Sequence, residues 1–373
     1  MLYTNAKVFT PDGFVCGGFA IEGGRFAEVF EGGRAGGADL GGAHVIPGLV
    51  DIHTHGAAGA DFSDGNPDGL TRMAAHLAKC GVTSFAPTSM TLPYETLEQA
   101  FRTAVQLSMH RPDGCARVMG IHMEGPYFSE KKKGAQNGAF LKPPDLEGFR
   151  ELFEGCGGLI RIVDVAAELP GAAEFARGAK ALCTVSVAHT DADYDEAAAV
   201  FDAGASHLTH LFNAMPPIHH RRPGVIGAAC ERDFVAAELI CDGLHVHPSA
   251  VRMAFRLFPG RICLISDSLR CCGMPDGEYE LGGQQVFLAG GVARLADGTI
   301  AGAASDLYAD MLNAIRFGVD RDEAIRAATI RPAGEIGRAD EIGSIEQGKL
   351  ADFVVCSDDL TPRAVYIGGK KVS

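Results

Sequence analysis

From Val45 onward the chain alternates short apolar runs with amphipathic stretches, and this rhythm limits the fold more than any other feature. Strand candidates begin near Val45, Val82, Arg117, Leu159, Leu182, Ser206, Phe234 and Ile262. Helical periodicity fills most of the gaps, as at residues 70–79, 95–110, 194–203 and 248–258. Eight successive strand-then-helix units imply a parallel sheet closed into a barrel. Active sites of that architecture lie at the C-terminal ends of the strands. Reactive side chains are therefore expected where the apolar runs stop.

The first run, VIPGLVDIHTHG at residues 45–56, reads as one strand ending in His53-Thr54-His55. Residues two apart on a strand share a side, so the two imidazoles project together. The third run ends in Glu124-Gly125-Pro126, the fifth in His189 and the sixth in His210. The seventh leads through Cys241-Asp242-Gly243 to His245, and the eighth ends in Ser266-Asp267. The second and fourth end without an obvious ligand. A single histidine at a strand end is more often a core or capping residue than a ligand. Several such residues converging on one barrel mouth are harder to explain that way. Imidazoles and carboxylates without thiolates suit zinc first, and also iron or manganese.

The remaining histidines carry less signal. His122 shares a side with Glu124 and either supports the ligands or fills the barrel core. His207 is expected to pack outward, and His44, His76 and His110 fall in turns or helices. A bound divalent ion lowers the pKa of its water toward about 7 and polarises a carbonyl. Asp267 is suited to take that water's proton and return it to the leaving group. The class of reaction is hydrolysis of an amide-like bond. No GxSxG elbow, phosphate-binding Walker loop or dinucleotide fingerprint competes with it.

Residues 1–44 are glycine-rich with short alternating runs, and a similar pattern returns at residues 351–373. Neither end is large enough to be stable alone, so the two are expected to pair into one small β-domain. The expected division is a β-sandwich from residues 1–44 and 338–373, and a barrel over 45–337. Residues 273–299 read as a β-hairpin excursion over the barrel mouth.

With 33 Lys and Arg against 47 Asp and Glu, the formal net charge is −14, which excludes a polyanion such as nucleic acid as partner. The densest basic cluster, Lys131-Lys132-Lys133, reads as a solvated loop. Eleven cysteines without a CxxC framework suggest free thiols in a reducing compartment. No signal peptide or membrane-spanning run is apparent, so a cytoplasmic protein is expected.

Seven segments carry a family resemblance over nearly the whole chain: PGLVDIHTHG, GIHMEGPYFSEKKKGAQN, VSVAHTDADY, THLFNAMPPIHHRRPG, CDGLHVHP, LISDS and the terminal GSIEQGKLADFVV. The chain resembles the amidohydrolase superfamily and, within it, the N-acetylglucosamine-6-phosphate deacetylases. The resemblance implies a distorted (β/α)8 barrel with a β-sandwich from both termini, and a homodimer. It implies loss of acetate from N-acetylglucosamine 6-phosphate, a step of amino-sugar catabolism or cell-wall sugar recycling. Another amidohydrolase reaction, on the galacto epimer or a cyclic amide, remains the alternative.

Carried over by position, Glu124, His189 and His210 match the principal metal ligands and Asp267 the catalytic acid/base. His53 and His55, absent in some members, make a second ion plausible, so that one or two ions per chain are expected. Ala135, Gln136, Asn213, Ala214, Arg221, His245, Ala301, Gly302 and Ala303 match the substrate-binding positions. Arg221 is expected to reach the phosphate in the neighbouring subunit. Three departures stand out. Gln136 replaces the histidine of many members, Ile300-Ala301-Gly302-Ala303 lacks the usual hydroxyls, and Ser268-Leu269-Arg270-Cys271-Cys272 replaces smaller residues.

Overall fold

The computed structural model describes residues 1–373. Its eight barrel strands are Leu49–Thr54, Val82–Ser89, Ile121–Met123, Ile160–Val165, Thr184–Val187, His207–Leu208, Ala236–Ile240 and Ile262–Ile265. Each pairs in parallel with the next in chain order. The ring closes just beyond the eighth strand. There the Asp267 amide donates to the His53 carbonyl and the His55 amide to the Ser268 carbonyl, both at 2.9 Å. Some strands are very short, with two residues in His207–Leu208. The result is a distorted (β/α)8 barrel. No helix is long and apolar enough to cross a membrane.

The helices start where the sequence supplies acceptors for free amides. Asn66 caps Pro67–Lys79 through the Asp68 and Gly69 amides, and Asp193 with Glu196 forms a capping box on Tyr194–Ala203. Their apolar faces cover the outside of the barrel. Inside, the strands carry polar groups: Asp51, His53, His122, Asp164, His207, Thr209 and Glu238 are all fully buried. His207 therefore does not pack outward. It shares the inward register with Thr209, while Leu208 between them joins the apolar layer under the helices.

The run at residues 45–56 is two strands in two sheets. His44–Pro47 pairs with Leu2–Thr10 and with Phe353–Cys356, whereas Leu49–Thr54 begins the barrel. Gly48 is the joint, and a Cβ there would lie 2.1 Å from the Thr83 hydroxyl oxygen. The terminal sheet runs in the order Lys370–Lys371, Pro362–Ile367, Phe353–Cys356, His44–Pro47, Leu2–Thr10, Gly13–Glu22, Arg25–Glu31. It curls over a core of Tyr3, Phe19, Phe26 and Phe353 to make the small sandwich. The excursion after the eighth strand is larger than a hairpin. Gly277–Leu281, Gln284–Ala289, Val292–Leu295 and Ile300–Ala303 form a four-stranded antiparallel meander. Its last strand returns to the barrel through a bridge between Ala303 and Ser268.

Phe353 ties the two ends of the chain together. It stacks on Tyr366 at 4.4 Å between ring centroids and meets Phe19 edge-on at 4.9 Å. Truncation of a fully buried phenylalanine costs about 3–5 kcal/mol. Phe353→Ala is expected to lower the denaturant midpoint of the terminal sheet, read by loss of its aromatic near-UV dichroism. An unchanged midpoint would show that the termini fold independently of this cluster.

Candidate active site

Five strand ends bring imidazoles and carboxylates to one point. His189, His210 and Asp267 reach it with backbone φ of 44°, 28° and 49°. These left-handed values are uncommon for non-glycine residues and cost about 1–3 kcal/mol each. Glu124 sits at the end of Ile121–Met123, directly before Gly125, where a Cβ would lie 2.2 Å from the Thr91 hydroxyl oxygen. The chain turns sharply there and leaves the carboxylate at the mouth.

The Nε2 atoms of His189 and His210 each lie 3.1 Å from Glu124 Oε1 and 3.1 Å from each other. His189 Nδ1 donates to the Lys132 carbonyl at 2.8 Å, which leaves Nε2 with a lone pair. A second group lies between Glu124 and Asp267. His55 Nε2 lies 3.3 Å from Glu124 Oε2 and 3.3 Å from Asp267 Oδ1. His53 Nε2 lies 3.5 Å from Asp267 Oδ1 and 3.6 Å from Glu124 Oε1. Here too the Nδ1 protons are committed, His55 to the Thr88 carbonyl at 3.1 Å and His53 to Glu238 Oε2 at 2.9 Å.

Nitrogens and carboxylate oxygens packed this closely repel unless positive charge, carried by protons or by a metal ion, lies among them. Donors at about 2.0–2.1 Å from one ion stand roughly 3.3 Å apart in a tetrahedral set. The residues therefore fit a divalent ion at Glu124, His189 and His210. They also fit a second at His53, His55, Glu124 and Asp267, with Glu124 shared. The third cluster, His53, His122 and Glu238, does not. Both His122 nitrogens are occupied, by the Ile52 carbonyl and by Asp164 at 3.0 Å each.

Proton affinities carry the same imprint. Burial works against charge on His210, but Glu124 and Asp267 outweigh it and raise its pKa to about 9. His55 is raised for the same reason. Burial pushes the Asp267 carboxyl up, yet the His55 hydrogen bond and the His53 charge hold it below its ordinary value. Asp267 is thus a carboxylate at neutral pH, ready to accept a proton.

A cavity of about 300 Å³ opens onto this cluster. Ala135, Gln136, Asn213, Ala214, His245, Ala301 and Gly302 line it together with Met90, Thr299 and Ile300. Gln136 is not free in the space it borders. Its Nε2 donates to Glu124 Oε2 at 2.6 Å and its Oε1 accepts from the Thr91 amide at 2.7 Å. Ala303 lies behind the wall, its amide donating to the Asp267 carbonyl at 2.8 Å. Arg221 is exposed and lines a separate surface cleft of about 800 Å³ with Asp191, Tyr194, His219 and Arg222.

Several supporting groups escape a reading by strand ends. Thr88 of the second strand binds both the Thr54 amide and the His55 ring. Phe128 stacks on His189 at 4.4 Å. Glu238 lies mid-strand in AAELI. The signal for Glu238 was a lone carboxylate inside an otherwise apolar run. Thr88 and Phe128 left none.

The amidohydrolase family model matches residues 44–372. The chain is 39% identical over 321 residues to the N-acetylglucosamine-6-phosphate deacetylase of Bacillus subtilis, covering 84% of this chain and 81% of that protein. It is 36% identical over 331 residues to the N-acetylgalactosamine-6-phosphate deacetylase of Escherichia coli O157:H7, covering 88% of each. Its fold superposes with a TM-score of 0.94 on the D267A mutant of N-acetyl-D-glucosamine-6-phosphate deacetylase from Mycobacterium smegmatis, solved in complex with N-acetyl-D-glucosamine-6-phosphate. That match has 32% identity and covers 100% of this chain and 99% of that one. The chain belongs to the amidohydrolase family, on the branch of the N-acetylhexosamine-6-phosphate deacetylases.

Proposed function

We propose that the chain hydrolyses the acetamide of N-acetylglucosamine 6-phosphate, releasing acetate and glucosamine 6-phosphate. The observation that carries this reading is the pairing of the Glu124, His189 and His210 triangle with the Asp267 carboxylate at a cavity of about 300 Å³. A divalent ion held by that triangle would acidify a water and polarise the carbonyl. Asp267 accepts the proton from the attacking water and passes it to the departing amine. Gln136 holds Glu124 in line from behind, and Asn213 and His245 are assigned to the sugar. Zinc is the first choice of metal, before iron or manganese.

A second reading, the galacto epimer, is favoured by the similarity to the Escherichia coli O157:H7 protein. Acetate release from N-acetylglucosamine 6-phosphate, N-acetylgalactosamine 6-phosphate and unphosphorylated N-acetylglucosamine separates the cases. The gluco phosphate is expected to have the highest kcat/KM. Faster turnover of the galacto phosphate would reverse the assignment, and no acetate from either phosphate would overturn the function.

We assign the His53 and His55 pair to a second ion. The double variant His53→Ala/His55→Ala is expected to retain about one ion per chain and part of its activity. Loss of all metal, measured by atomic emission on the dialysed protein, would make this pair the primary site.

The substrate phosphate needs a cation, and the cavity lining contains no Lys or Arg. We assign that role to Arg221 of a neighbouring subunit in a homodimer. A guanidinium fork matches phosphate geometry. Charge-assisted hydrogen bonds contribute about 1.5–3 kcal/mol, so Arg221→Ala is expected to raise KM by about 10- to 100-fold, with a smaller effect on kcat. A monomer in sedimentation that binds substrate normally would refute the assignment.

A further inference from the structure

We propose that Glu238, His207 and Glu335 form an axial chain inside the barrel that positions the metal-binding side chains from behind. The proposal rests on the metal reading above.

Glu238 is the one polar residue of Ala236–Ile240 and is fully buried. Its Oε2 accepts from His53 Nδ1 at 2.9 Å and from the His210 amide at 3.2 Å. One carboxylate thus grips a member of each metal-binding group. On His53 it fixes the tautomer that presents Nε2 to the site and raises the basicity of that nitrogen. On His210 it holds the backbone at a residue whose φ of 28° is disfavoured without such support.

The other oxygen of Glu238 faces away from the mouth. His207 Nε2 lies 3.3 Å from it, an ion-pair contact rather than an aligned hydrogen bond. His122 Nδ1, at 3.7 Å, is occupied by the Ile52 carbonyl. On its far side His207 Nδ1 donates to Glu335 Oε2 at 2.9 Å. An imidazole facing a carboxylate at both nitrogens is an imidazolium. Burial opposes that charge, but Glu238 and Glu335 outweigh it, raising the pKa of His207 to about 10. His207 thereby holds Glu238 on the side away from the mouth.

Glu335 is where the chain meets solvent. Its side chain is 24% exposed and borders a cavity of about 300 Å³ with Phe234, Arg261 and Arg331. Phe234 and Arg261 precede the seventh and eighth strands, so this cavity lies at the end of the barrel opposite the active site. The sequence Glu335–His207–Glu238–His53 therefore spans the barrel interior. A substitution on the remote face is expected to register at the metal.

The test compares Glu238→Gln, His207→Gln, Glu335→Gln and Glu335→Asp with the wild type. Zn²⁺ affinity is measured by chelator competition, and kcat and KM are determined separately on the metal-loaded enzyme. Partners of metal-bound histidines typically contribute about 10- to 100-fold in affinity or activity. Glu238→Gln and His207→Gln are expected to weaken at least one ion by that factor and to lower kcat with KM unchanged. Glu335→Gln is expected to shift affinity in the same direction by less, and Glu335→Asp to recover most of it. Should Glu238→Gln fail to fold, His207→Gln and Glu335→Gln, which touch no ligand, decide the matter. Unchanged affinity in those two variants overturns the proposal, as does a lowered melting temperature without any change in affinity. The ion count of the wild type judges the metal reading separately.

Discussion

Everything at the barrel mouth depends on the position of one carboxylate. Glu124 contacts His189 and His210 through one oxygen and His55 and Gln136 through the other, and it is almost entirely buried. A buried carboxylate is expensive unless positive charge or donors surround it. Of the imidazoles around Glu124, His189 and His55 turn their Nδ1 protons outward, to the Lys132 and Thr88 carbonyls. The arrangement is favourable only with positive charge among these groups, carried by protons on His210 and His55 or by a metal ion. The strained backbones of His189, His210 and Asp267 point the same way, since strain of this kind persists only where surrounding bonds enforce it. Barrel closure supplies those bonds at Asp267, whose amide is tied to the His53 carbonyl across the seam.

The closure also explains why the two ends of the chain meet. Leu49–Thr54 receives the eighth strand on one side, and Gly48 passes directly into His44–Pro47 of the terminal sheet. A side chain at Gly48 would collide with Thr83, so the joint is short and stiff. The meander from Gly277 to Ala303 leaves the barrel beside Asp267 and returns to it there, placing Thr299 and Ile300 on the cavity wall. Its Gln284 side chain reaches the Ala135 carbonyl, joining the meander to the loop that carries Gln136.

Much of this was legible before any coordinates. The eight strands begin within a few residues of where the apolar runs predict them, and Tyr194–Ala203 matches its expected limits. The convergence of His53, His55, Glu124, His189, His210 and Asp267 followed from barrel geometry alone, because strand ends in this fold share one face. What stayed hidden depends on contacts rather than on pattern. The break at Gly48 is invisible in VIPGLVDIHTHG because both halves are apolar and fully buried. His207 reads as outward if alternation is counted from His210. That residue has already left the strand at φ 28°, and counting from Leu208 puts His207 inside. Gln136 matches a substrate position, and what pattern does not reveal is that its amide also holds Thr91 and Glu124 while it lines the cavity.

Charge sets a last constraint on how such a site meets a phosphorylated ligand. The chain has a formal net charge of −14, and the cavity holds the Glu124 and Asp267 carboxylates. A dianionic substrate approaching it is repelled at long range, although salt screens exposed charges beyond about 8 Å. Attraction must therefore be short-range and concentrated. A metal ion held at the mouth would offset the carboxylates, and the cavity lining itself supplies no Lys or Arg for the phosphate. Arg221 and Arg222 lie exposed on a loop beyond the sixth strand, next to the exposed Ile218. On the single chain they line the cleft with Asp191 and Tyr194 and not the cavity, so no guanidinium within one subunit meets a phosphate bound there.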